Sequence, residues 1–393
     1  MVFAAKVNFV FISPHFPPNW AQFAIALREA GANVLGITDT TFEQLSPQLR
    51  GALNDHYRVD NLGDYDQQVR ALGYFISRHG RIDRLDSLNE HWLQLEAALR
   101  TDFNIFGING RQIEHIKRKS LMKRRFINAG LSVARGRVYR HTKAVRAFAA
   151  EVGFPIVAKP DIGVGAAATY KIADAAELES FLSALPAVPY IFEEFISGQI
   201  VTYDGMTDRR GRVVHESSMT YGDGVMEIVN SGGDIFYYLT REIAPDLREL
   251  GQQVVRAFDV RERPFHFEFF RTSEGVLMPL EVNMRPPGGL SIDMFNYAHD
   301  LDFAREWASL VVHDRVESPS VRPFNCLYVG RRYHRRYQLS DDEARSAFAS
   351  LIVHHESISD VFSGALGDHG YLLRSPQLEP LLAAAQAMIA IAD

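Results

Sequence analysis

The chemistry-bearing residues of this chain concentrate in two short runs, Phe265-His266-Phe267-Glu268-Phe269 and Pro279-Leu280-Glu281-Val282-Asn283-Met284-Arg285-Pro286. Val, Phe and Leu alternate with other residues at period two, so each run reads as a strand. On the second, Glu281, Asn283 and Arg285 share one face and Val282 and Met284 the other. Thr272-Ser273-Glu274-Gly275 reads as a tight turn, and an even-length loop sets Glu268 on the face of Glu281 and Asn283. Two carboxylates, an amide and a guanidinium on one sheet surface are costly unless something binds there. Glu268, Glu281 and Asn283 are oxygen ligands suited to Mg²⁺ with bridging phosphates, and Arg285 suits phosphate charge. The plain alternative is an exposed sheet face with ordinary salt bridges. The apolar opposite faces and the phosphate elements upstream weigh against it.

Lys159 ends a predicted strand and is followed by Asp161-Ile162-Gly163-Val164-Gly165-Ala166-Ala167-Ala168. Small residues around Gly163 and Gly165 let a loop close over phosphates with its amides exposed, and the lysine supplies a point charge. No Gly-Lys-Ser/Thr follows the glycines, so this is not a Walker A loop. Lys119, forty residues earlier, can add a second charge. Tyr190–Phe195 reads as a strand leading into Ile196-Ser197-Gly198, where backbone groups can read a base edge.

The elements that position these residues follow from periodicity. Up to about residue 115, strands at Val7–Ile12, Asn33–Ile37 and Asp83–Leu88 alternate with helices at Asn19–Ala30, Asp66–Arg78 and His91–Arg100, the pattern of a small parallel α/β sheet. No Gly-x-Gly-x-x-Gly follows strand one, so a dinucleotide role has little support. A helix is expected over Lys117–Ala129, then strands and helices alternate through the Lys159 loop to strands Val201–Thr207 and Val213–Tyr221. A glycine-rich loop occupies Gly222–Asp234, a helix Pro245–Asp259, and helices Leu290–Ala298 and Phe303–Val312 follow the hairpin.

At 393 residues and 47% hydrophobic content, the chain can bury a large core and divide into several domains. A net charge of −6 gives no support for a nucleic-acid or membrane-surface protein. The single cysteine, Cys326, excludes an intrachain disulfide and fits a reducing cytosol. The first sixteen residues read as a strand ending in Pro14-His15-Phe16-Pro17-Pro18, not as a signal peptide. No apolar run is long enough to span a membrane. The run Arg331-Arg332-Tyr333-His334-Arg335-Arg336-Tyr337 is the densest basic stretch. It reads as a solvated face, or as a site for an anionic substrate or an RNA; the overall acidity argues against the last.

In order along the chain, Arg118-Lys119-Ser120 before Ala129-Gly130, Phe154-Pro155-Ile156-Val157-Ala158-Lys159-Pro160 with its small-residue loop, Glu193-Glu194-Phe195-Ile196-Ser197-Gly198, and Glu268 with Glu281-Val282-Asn283-Met284-Arg285 resemble the ATP-grasp superfamily, most of all its carboxylate–amine ligase branch. The resemblance covers about residues 1–313. It implies a mixed α/β and α+β fold: an N-terminal parallel α/β domain (1–115), an ATP-grasp subdomain with the phosphate-covering loop (116–195), one with the metal site (196–313), and a small C-terminal subdomain (314–393).

The same resemblance implies ATP between the two grasp subdomains, Lys119 and Lys159 with Gly163 and Gly165 on its phosphates, and Glu193, Glu194, Phe195 and Ile196 at the adenine. Glu268, Glu281 and Asn283 would hold two Mg²⁺, for which Mn²⁺ can substitute, and Arg285 would stabilise an acyl phosphate attacked by an amine. The partners implied are a small carboxylate and an amine, both amino-acid-like, in a cytoplasmic and dimeric enzyme. The loop Gly222–Asp234 would be a lid excluding water. Gly288 and Gly289 would offer amides to the acyl phosphate. His266 and Arg241 are further candidates for substrate contact, with a structural histidine and a solvated arginine as the plain readings. Two positions depart from the pattern: Ile200 stands where relatives often carry a ribose-binding acid, and the phosphate loop is alanine-rich where many carry a serine. Two other readings are a bicarbonate-activating enzyme like the biotin carboxylases, disfavoured by the short C-terminal segment, and a nucleotide-binding regulatory protein without turnover.

Overall fold

The computed structural model describes residues 6–163, 168–222, 233–318 and 321–392. The N-terminal sheet is parallel, in the order β3-β2-β1-β4, formed by β1 (Asn8–Ile12), β2 (Asn33–Thr38), β3 (Asp55–Arg58) and β4 (Arg84–Asp86). β1 is almost entirely buried, as its apolar run requires of a strand covered on both faces. β3, Asp55-His56-Tyr57-Arg58, has no apolar alternation because it lies at the sheet edge, and so it went unpredicted. Helices α1 (Ala21–Glu29), α2 (Pro47–Ala52), α3 (Tyr65–His79) and α4 (Leu93–Asp102) connect and cover these strands. Asp64 caps the start of α3 by accepting from the Gln67 amide, and Gly80 ends it at φ 80°.

The helix expected over 117–129 is α6 (Lys119–Asn128), preceded by a separate helix α5 (Gly110–Lys117) from which the extended backbone of Arg118 (φ −94°, ψ 113°) divides it. A four-stranded antiparallel sheet follows, β5-β8-β6-β7, from β5 (Gly136–Val138), β6 (Ile156–Pro160), β7 (Tyr170–Ile172) and β8 (Tyr190–Glu194). It is backed by α7 (Thr142–Val152) and α8 (Ala175–Ser183) around Phe148, Ile156, Leu178 and Phe192.

The third sheet has nine strands. These are β9 (Gln199–Thr207), β10 (Val213–Ser217), β11 (Met219–Tyr221), β12 (Ile235–Leu239), β13 (Arg263–Arg271), β14 (Leu277–Asn283), β15 (Asn325–Arg331), β16 (Ile352–Ser357) and β17 (His369–Ser375). Its path is β14-β13-β9-β11-β12-β15-β17-β16, with β10 paired to β9. Residues beyond 314 therefore add three strands to the sheet that carries the hairpin. The helices of this region are α9 (Pro245–Phe258), α10 (Ser291–His299), α11 (Phe303–His313), α12 (Asp341–Ala347), α13 (Asp360–Leu366) and α14 (Glu379–Ile389). The N-terminal sheet shares a core with this body: Phe9 meets the edge of Trp307 on α11 at 5.6 Å and 83°.

Three arginines of the basic run Arg331–Tyr337 are engaged within the fold, while His334 and Arg336 are exposed. Arg331 pairs with Asp341 and lies 4.1 Å over the Tyr337 ring, Arg332 donates to the carbonyls of Ser363 and Gly364, and Arg335 pairs with Asp234. Arg331 and Arg332 are buried, against the solvated face expected. Among the described residues, no helix is long and apolar enough to cross a membrane.

Candidate functional site

The hairpin loop between β13 and β14 has five residues, Thr272–Val276, since Arg271 pairs with Leu277. That odd loop alone would set Glu268 opposite Leu280. A bulge intervenes: Phe269 pairs with Pro279, yet Glu268 pairs with Glu281 and His266 with Asn283. Pro279 has no amide hydrogen, and β14 is an edge strand, where proline and bulges are tolerated. The expected face is therefore reached, but by the extra residue Leu280 rather than by an even loop.

Between the four-stranded sheet and this hairpin lies a cavity of about 340 Å³. Val157, Phe195, Ile196, Ile200, Phe270, Met278 and Leu280 give it apolar walls, while Lys119, Lys123, Lys159, Glu193, Glu268 and Glu281 supply charge. The volume and the mixture of apolar wall and converging charge suit a nucleotide-sized ligand.

The two hairpin carboxylates have opposite environments. Burial works against ionising Glu268, but His266, then Arg285 and Lys159, outweigh it and hold its pKa below the ordinary value. For Glu281, burial and the nearby Glu268 charge push the pKa up, despite Lys119 Nζ at 3.3 Å. The Asn283 side chain is buried beside them, at the strand position that pairs with His266. Two facing carboxylates and an amide oxygen are a hard-cation donor set, and a divalent ion would favour the ionised form that burial disfavours at Glu281.

His266 is buried between two acids: Nδ1 is 2.6 Å from Asp204 Oδ1 and Nε2 3.1 Å from Glu268 Oε1. Burial lowers its pKa, but Asp204, and then Glu268, raise it to about 9, so the ring carries charge at neutral pH. Asp204 is held in turn by Thr202, whose hydroxyl accepts from the Met219 amide at 2.9 Å. With both ring nitrogens engaged, His266 orients Glu268, as the plain reading of a satisfied histidine has it.

Lys159 and Lys119 converge because Asp161, buried just after β6, caps α6: its carbonyl accepts from the Lys119 amide and its carboxylate from the Ser120 amide, each at 2.8 Å. Lys119 Nζ also donates to the Gly163 carbonyl at 3.2 Å. Glu193 receives two lysines, Lys159 Nζ at 2.7 Å and Lys123 Nζ at 2.6 Å. Burial opposes its charge, but Lys159 and then Lys123 pull its pKa down to about 2. Burial lowers the Lys123 pKa; the Lys159 pKa is raised against burial, chiefly by Glu193.

The remaining predicted residues divide. Glu194 lines the cavity but its carboxylate is taken by Arg135, at 2.7 Å. Phe195 lies under Lys171, whose Nζ is 4.2 Å from the ring centre. Arg285 is half-buried and spends one bond on the Pro286 carbonyl, 2.8 Å away. Gly288 and Gly289 do not line the cavity. Gly289 has a left-handed backbone, φ +63°, which favours glycine, and it packs closely against the Leu366 side chain. Arg241 is placed elsewhere: its guanidinium donates to the carbonyls of Arg322 and Pro376, at the surface, so the substrate contact considered for it has no geometric support. Gly165, and the loop Gly222–Asp234 except for its first and last residues, lie outside the described residues.

Two further charged groups escaped the sequence reading. Lys123, which lines the cavity, sits four residues after Lys119 on α6, on the same helical face, which was the available signal. Glu90, in the loop after β4, is buried with Oε1 2.8 Å from Lys117 Nζ, while its Oε2 has no partner among the described residues. It also contributes to raising the Glu281 pKa. A loop at the carboxyl end of a parallel strand is where α/β sheets place ligand-binding residues.

Residues 152–293 match the family model of the ATP-grasp domain. The L-arginine-specific L-amino acid ligase of Bacillus subtilis is 25% identical over 245 residues, 60% of this chain and 59% of that protein. The chain spans 59% and 57% of the lengths of two curated relatives it matches. The L-amino acid ligase of Bacillus licheniformis superposes with a TM-score of 0.73 at 16% identity, covering 98% of this chain and 97% of that one. The biotin carboxylase domain of Hydrogenobacter thermophilus 2-oxoglutarate carboxylase, solved with MgADP and bicarbonate, gives 0.67 at 14% identity, covering 99% and 91%. At these identities the solved structures show likeness of fold, the mixed α/β architecture expected. The matched segment, residues 152–293, carries Lys159, Glu193 and the Glu268–Glu281 hairpin, and this part of the chain is an ATP-grasp domain.

Proposed function

We propose that the protein is an ATP-dependent ligase that joins a small, amino-acid-like carboxylate to an amine through an acyl phosphate, releasing ADP and phosphate. The facing of Glu268 and Glu281 beside Asn283, at one end of a nucleotide-sized cavity, carries this reading. Lys119 and Lys159 meet the phosphates, and the apolar wall at Phe195, Ile196, Met278 and Leu280 takes the base. Glu268, Glu281 and Asn283 fit Mg²⁺, which when bound neutralises phosphate charge. Arg285, beyond the metal residues, faces the charge that develops as the substrate carboxylate attacks the γ-phosphate and as the amine displaces phosphate. Ile200 lines the cavity where an acid would hold the ribose, so hydroxyl recognition there falls to other groups.

A bicarbonate-activating enzyme is the second reading, because the biotin carboxylase domain overlays 99% of the chain; the short C-terminal segment does not argue against it. Phosphate release measured with Mg-ATP and pools of amino acids tests the proposal. ADP and phosphate are expected only when acid and amine are both present. AMP and pyrophosphate as products would overturn it, and a bicarbonate requirement would favour the second reading.

A further inference from the structure

Two ion pairs of opposite polarity join the end of β4 to the start of β13. Arg84 forks onto Glu262, with NH2 2.8 Å from Oε2, and Asp86 receives both terminal nitrogens of Arg263. They differ in what they reach. The Arg84–Glu262 pair stops at the foot of the strand, whereas Arg263 Nε also donates to the carbonyl of Met284, between Asn283 and Arg285. Asp86 in turn accepts from the Leu88 amide at 2.8 Å and from Arg100 at 3.0 Å, which fixes the loop that leads to Glu90. Arg100 continues to Glu96 at 2.8 Å, so two arginines and two carboxylates balance within a buried network.

Burying four charges is a poor way to gain stability, because desolvation offsets most of the attraction. What the arrangement supplies is position. The guanidinium is rigid, planar and bonded to acceptors on two elements far apart in sequence. We infer that Arg263 is a positioning residue for acyl transfer, holding Arg285 and the Glu90 loop at one fixed separation. This rests on the ligase reading, in which Arg285 meets the reacting phosphate, and small misplacements of reacting groups are expensive.

The test compares the double variant Arg263→Met/Asp86→Asn, which leaves Arg100 and Glu96 as a neutral pair, with the parent chain and with Arg84→Met. Amide exchange over residues 283–288 and 86–90 is expected to accelerate about tenfold or more in the double variant but not in Arg84→Met. ADP affinity measured without Mg²⁺ should stay within about twofold, because the lysines and Glu193 are untouched, while the phosphate released per amide formed rises about tenfold. Single Arg263→Lys should fall between, as it cannot span all three acceptors. Unchanged exchange in the two segments, or equal uncoupling in Arg84→Met, would overturn the inference. The exchange measurement needs no turnover, so a parent chain that forms no amide sinks the ligase reading separately.

Discussion

Glu268 and Glu281 face each other across the β13–β14 hairpin because Leu280 is an extra residue in the strand. Without the bulge, the five-residue loop would pair Glu268 with Leu280 and turn Glu281 away. One unpaired residue thus determines whether the sheet offers a divalent-ion site or a single buried acid.

Glu281→Gln separates function from stability. Burial and Glu268 already disfavour the Glu281 charge, so the amide should fold with a melting temperature at or slightly above the parent's. Phosphate release should fall about a hundredfold, the order seen when one group stabilising transition-state charge is lost. A variant retaining parental turnover would remove Glu281 from the reaction.

Glu193→Gln should weaken both nucleotide binding and the fold, since Lys123 and Lys159 lose their shared counter-charge. A folded-state pKa depressed to about 2 means the stabilisation is complete above the unfolded value near 4.5 and disappears as pH falls through 2. That shift corresponds to about 3 kcal/mol at neutral pH. Chemical denaturation at pH 7 and pH 3 should show the parent–variant gap narrowing in acid; a constant gap would contradict it.

His266→Gln should raise the Mg²⁺ concentration needed for half-maximal phosphate release by about tenfold to a hundredfold, the usual effect of losing a group that orients a ligand. The His266 pKa is raised to about 9, so its contribution is fully present below about 6.5 and lost as pH rises through 9. The parent's Mg²⁺ requirement should therefore climb above pH 9 while the variant's stays flat.

Arg241→Ala should leave the kinetic constants within about twofold and cost at most about 1 kcal/mol, because its exposed guanidinium meets only carbonyls of the C-terminal region. A large rise in substrate KM would restore it to the site.

The hairpin, Lys119, Lys159 and most strands could be read from the chain because their signals are local: period-two alternation, a proline-ended strand, glycines beside a lysine. What was missed is non-local. Polar β3 is a strand only because β2 lies beside it, and the break at Arg118 is marked by the Asp161 cap, forty-three residues on. Lys123 gains meaning only from the cavity it borders, Glu90 from its pairing with Lys117, and Arg263 from a carboxylate 177 residues away and a carbonyl twenty-one residues away.

The nine-stranded sheet imposes an order on synthesis. β12 leaves the ribosome long before its partner β15, with which it pairs from Ile235–Gly330 to Leu239–Cys326. Until residues 325–375 have been made, β12 stays an unpaired edge of the sheet that carries the hairpin, which in a nascent chain invites pairing with a neighbour. A chain interrupted near residue 314 would contain every residue assigned to the reaction and still lack the three strands that cover that edge.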